Sequence, residues 1–98
     1  MQNTTYNPKL SALRLHEEEM CRRYLLARKD MGYQASYTAS LVLLAKQHPS
    51  RVDYRKAANL ASEQYTEAVN RAHRAYEIYQ AAARRADSEW AAPQVGAA

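Results

Sequence analysis

The sequence predicts an all-α chain folded as a long antiparallel helical hairpin, and three observations carry that prediction. The 98 residues hold only two Gly and no Phe, while Ala, Leu, Arg, Glu and Gln, all strong helix formers, recur throughout. Between residues 54 and 90, Tyr65, Val69, Ala72, Tyr76, Tyr79, Ala83, Ala86 and Trp90 recur in steps of three and four. That is the pattern of a helix with one buried stripe. A row of alanines at Ala61, Ala68, Ala75 and Ala82 runs beside it every seventh residue and lets a second helix come close. Finally, Pro49 divides the chain into two arms of similar length.

Residues 1–7 are polar and read as a flexible start. Asn7-Pro8 is a helix start: Asn caps free amides, and Pro suits the first turn because its missing N–H would be unpaired there. Leu10, Leu13, Met20, Tyr24, Ala27 and Met31 then share one face, with Glu17 at its edge. Glu18–Arg22 and Glu19–Arg23 are acid-to-base pairs four apart on the charged face. Gly32, preceded by Arg28 and Lys29, resembles a helix end. The apolar phase nevertheless continues through Ala35, Thr38, Val42 and Ala45, and one glycine inside a helix costs only about 1 kcal/mol. Two readings stay open: one helix over 8–47 with a break or kink at Gly32, or two shorter helices that make a three-helix bundle.

His48-Pro49-Ser50 is a firm boundary, because residues before Pro leave the helical region. Ser50 is the expected N-cap of the last helix, 51–90, with Asp53 three residues on in the manner of a capping box. Ala91-Ala92-Pro93 closes it, and 91–98 reads as a flexible tail around a single helical domain over 8–90. Folding about residue 49 sets Tyr37 against Ala61, Tyr24 against Ala75, Met20 against Tyr79 and Leu13 against Ala86, with Leu10 near Trp90. Several of these pairs set large on small, as close packing requires.

A lone hairpin does not cover Leu41, Val42, Leu43 and Leu44, which are apolar all round the helix. Exposed apolar surface of this kind marks contact with another chain. With Leu60, Tyr33 and Tyr37 these residues form the candidate interface, and the expectation is a homo-oligomer, most simply four helices from two hairpins, or a helical protein partner. Ile78 is a further apolar residue off the stripe. Of the eight tyrosines, Tyr65, Tyr76 and Tyr79 are expected in the stripe, where Tyr replaces Phe as core aromatic with its hydroxyl at the wet edge of a thin core, and Tyr6, Tyr33, Tyr37 and Tyr54 near the ends or at an interface.

Chemistry is nearly absent from the pattern. His16, His48 and His73 lie far apart, and His16-Glu17-Glu18-Glu19-Met20 lacks the second His of a metalloprotease helix. His73–Glu77 reads as a surface pair. Cys21 has no cysteine partner and no catalytic signature around it. Two isolated glycines make no phosphate loop. The expectation is no enzyme, no cofactor, no metal and no small-molecule substrate.

The net charge of +4 is spread over both arms. Arg51, Arg55, Lys56, Arg71, Arg74, Arg84 and Arg85 are candidate phosphate contacts, but Glu63, Glu67, Glu77, Asp87 and Glu89 are interleaved with them. A small basic nucleic-acid-binding accessory protein is therefore the alternative reading. Met1 to Tyr6 lacks the apolar core of a secretory signal, and the longest apolar run, Leu41 to Ala45, is too short to span a bilayer. The chain is expected to be cytoplasmic at synthesis and able to enter a larger assembly.

In size and hairpin shape the chain resembles two families. One is the small secreted helical hairpins with a Trp-x-Gly turn, where this chain has His48-Pro49-Ser50 and carries Trp90 at the far end. The other is the needle subunits of type III secretion, short hairpins with a Pro-containing turn that Pro49-Ser50 resembles, without the second Pro. Neither resemblance assigns a role to a residue here. The sequence thus points to a non-enzymatic structural, assembly or adaptor subunit that works by association.

Overall fold

Asn7 and Pro8 start the first helix as their chemistry dictates. A computed structural model describes residues 6–92. In it α1 runs over Pro8–Gln47 and α2 over Val52–Ala91. The Asn7 side chain accepts the Leu10 amide at 3.1 Å, and its backbone is extended, as an N-cap requires. Gly32 has no positive φ, and α1 passes through it unbroken. The continuous apolar phase outweighs the small helical penalty of one glycine. The hairpin is therefore the fold, and the three-helix bundle is set aside.

The turn corrects one expectation. Arg51, not Ser50, occupies the N-cap of α2, and no side chain caps it. The Arg51 amide donates to the His48 carbonyl at 3.0 Å, which closes the turn. Asp53 does not reach back to the cap amide. Its carboxylate accepts from Arg51 Nε at 3.0 Å and Nη2 at 2.8 Å, a charge-assisted fork stronger than a neutral cap bond. The Arg51 guanidinium also lies 4.1 Å over the Tyr54 ring, whose edge contact with His48 has centroids 5.5 Å apart. The expected stop at Pro93 and the looseness expected of residues 1–5 and 93–98 lie outside the described residues.

The seam follows a heptad on both helices. On α1 it runs Leu10, Leu13, Glu17, Met20, Tyr24, Ala27, Met31, Gln34, Thr38, Leu41 and Ala45, all buried or half-buried. On α2 it runs Ala58, Ala61, Tyr65, Ala68, Ala72, Ala75, Tyr79, Ala82, Ala86 and Glu89, likewise. Alanines form the deepest layer, with Ala86 at 0% and Ala61 at 1% exposure. The large side chains come from α1 and from the two seam tyrosines of α2. Tyr24 packs with Tyr76 at 5.0 Å between ring centroids and stacks on Tyr79 at 6.3 Å and 9°. Thr38, buried, donates its hydroxyl to the Ala61 carbonyl at 3.0 Å.

The open end is tied by Asn7 and Lys9, which both reach Glu89, at 3.0 and 3.3 Å, and by Arg14, 3.1 Å from Asp87. These contacts place the register close to the one expected from a fold about residue 49. The expected stripe was too wide for two helices, however. Tyr65, Ala72, Tyr79 and Ala86 hold seam positions, whereas Val69, Tyr76, Ala83 and Trp90 fall on the adjoining flank. Trp90 is 71% exposed, and Glu89 takes the seam position beside Asn7 and Lys9. Tyr37 likewise gives its place opposite Ala61 to Thr38 and is 55% exposed.

The molecule is a rod of 77 × 18 × 13 Å. Its radius of gyration is 22.2 Å, where a compact chain of this length would have about 13 Å. Among the described residues no helix is long and apolar enough to cross a membrane.

Candidate interaction surface

Two helices in contact can bury only one stripe each, so the side of each helix turned away from its partner is left exposed by the hairpin. On α2 that side is mostly polar, with Lys56, Glu63, Asn70, Glu77 and Arg84 spaced by sevens and only Val52 and Leu60 as exposed large apolar residues among the described ones. On α1 it is not. Leu15, Leu25, Leu26, Tyr33 and Leu43 lie there, all more than half exposed. From Met31 to Ala45 α1 carries no Asp, Glu, Lys or Arg at all, over four turns or about 22 Å. That stretch is uncharged on its outer side as well as in its seam, unlike the outer side of α2.

The expected interface residues are divided among faces by the helical period. Leu41 lies in the seam. Val42 borders a shallow groove with Lys46, Pro49, Arg55 and Asn59 on one flank. Leu43 points from the back of α1 and is more than half exposed. Leu44 falls on the opposite flank with Tyr37, and Leu60 lies at the edge of the outer side of α2, 55% exposed. Tyr33 stands at the edge of the back. The run Leu41–Leu44 is thus not one patch. Leu15, Leu25 and Leu26, which sequence reasoning passed over, are exposed on the same side of α1 as Leu43, with Glu18, Arg22 and Lys29 between them. Their signal was present in their heptad positions, but it becomes visible only once the phase of the seam is known.

The basic residues are also dispersed. Arg51 is held by Asp53 and Tyr54, and Arg55 donates to the Pro49 carbonyl at 3.4 Å, so both serve the turn. Arg71 pairs with Asp30 across the helices at 3.2 Å. Lys56, Arg74, Arg84 and Arg85 have no ion pair among the described residues and share the outer side of α2, where Glu63, Glu67 and Glu77 are interleaved with them. Lys9, His16, Arg84 and Arg85 border an open groove of about 710 Å³ at the free end, with Glu89 among them.

Of the two expected pairs on α1, only one forms. Glu19 takes both Arg22, at 2.7 Å, and Arg23, at 3.2 Å, and these hydrogen bonds hold its carboxyl below the usual range, Arg22 contributing most. Glu18 is left without an ion pair among the described residues. His73 and Glu77 approach to 3.6 Å on the surface. Cys21 is half-buried, and its sulfur is the first cause that raises the Tyr79 hydroxyl above its usual range. Among the described residues no group of three or more His, Cys, Asp or Glu is arranged to hold a metal ion. Comparison of the chain with protein-family models, with curated proteins and with solved structures finds no match in any of the three.

Proposed function

We propose that this hairpin is a non-enzymatic interaction subunit that works by association, as a structural, assembly or adaptor component. The observation that supports this reading is the outer side of α1, where exposed leucines and an uncharged stretch of four turns stand without an intramolecular partner. The rod shape suits the role, because a thin alanine seam leaves most of the surface of both helices free for other chains. The test replaces Leu25 and Leu26 together by Glu. Both sites are exposed, and Glu is a good helix former, so the hairpin itself should keep its helicity. Association, with a second copy or with a protein captured from the native host, should fall at least tenfold. Association unchanged by the double variant would refute the role given to this face.

Nucleic-acid binding is the second reading, supported by Lys56, Arg74, Arg84 and Arg85, which lack acidic partners among the described residues. It requires an affinity for DNA or RNA that falls steeply as salt rises. Binding that is absent, or insensitive to salt, removes it.

A further inference from the structure

Resting on the association reading, we infer that the occupant of the α1 outer side is a second copy of this chain, packed antiparallel about a two-fold axis beside Gly32. Gly32 is the anomaly that locates the axis. It sits in an unbroken helix, has no positive φ, and a Cβ built on it meets nothing within 4 Å. Neither the backbone nor the packing of the hairpin needs a glycine there, although an exposed helical glycine costs about 1 kcal/mol against alanine. A second backbone that approaches closely from outside does need one.

In an antiparallel two-fold pair of helices, heptad positions meet their own kind across the axis. With the axis at Gly32 and Tyr33, each of these residues lies next to its own copy. Moving outward, Leu25 falls opposite Ala39 of the second copy and Leu26 opposite Ser40, which sets large on small as close packing requires. Lys29 falls opposite Ser36 and Arg22 opposite Leu43, so neither cation meets its own copy. A parallel pair would set both of them on themselves. At each end Glu18 comes opposite Lys46 of the second copy. Neither has an ion pair among the described residues of the hairpin, and here they match in charge. The two α1 helices overlap from Glu18 to Gln47, about 44 Å at the helical rise.

The charge match gives the test, read by sedimentation of the full chain. Glu18→Lys and Lys46→Glu should each weaken dimerisation about threefold to tenfold, since each change touches both symmetric ends, and the double exchange should restore it. Gly32→Gln should weaken it at least tenfold without loss of helicity, because the space over Gly32 is empty within the hairpin. In a Cys21→Ser background, Tyr33→Cys should cross-link to its own copy on oxidation. A dimer that survives Gly32→Gln and shows no rescue in the double exchange overturns this pairing while self-association stands. A wild-type chain that stays monomeric overturns both.

Discussion

Ala61 shows how little room the seam leaves. It is 1% exposed and its carbonyl accepts the Thr38 hydroxyl, so the two helices touch backbone to side chain at that layer. Ala61→Leu should destabilise the hairpin by about 1–3 kcal/mol through overpacking, measured by chemical denaturation. Thr38→Val keeps the shape and loses the hydroxyl, and should cost about 1 kcal/mol in the same assay. The free end depends on Glu89. The Asn7 amide and then Lys9 hold its carboxyl below the usual value near 4.5. A folded-state value lower than the unfolded one means that the contribution is complete above that usual value and is lost as pH falls through the lowered one. Glu89→Gln should therefore flatten the acid side of a thermal-stability profile while leaving the neutral side parallel to wild type.

At the scale of the elements, the sequence marked both helices and the turn plainly. Asn7-Pro8 and His48-Pro49 are local signals, and local chemistry decided them. The cap of α2 was misplaced by one residue because Asp53 prefers the charged fork of Arg51 to the Ser50 amide, a choice made by side-chain reach rather than by spacing. Gly32 was ambiguous because propensity and apolar phase disagree there, and only the phase extends beyond the single residue. Gly32→Ala should raise the thermal stability of the hairpin by the equivalent of about 1 kcal/mol at concentrations where it is dissociated. No change, or a loss, would mean that this part of α1 is not helical in the free chain. The phase of the α2 seam was only half legible. An apolar stripe three positions wide holds two candidate seams, and Tyr76 and Trp90 cannot be told from Tyr65 and Tyr79 until α1 is set against them.

At the scale of the whole molecule, the two helices are unequal. α2 has one apolar side and one polar side, as a helix on the surface of an assembly does. α1 has apolar residues on both, as a helix at the centre of one does. That asymmetry was legible only in part, since Leu41–Leu44 stands out as a run whereas Leu15, Leu25 and Leu26 are scattered among charges and gather into a face only on the folded helix. On the proposed reading, a second chain covers the outer side of α1. Sedimentation equilibrium of the full chain at tens of micromolar tests this most directly. The account predicts a mass near twice the 11.2 kDa of one chain, which falls towards 11.2 kDa on dilution. A mass of 11.2 kDa at every concentration would contradict it.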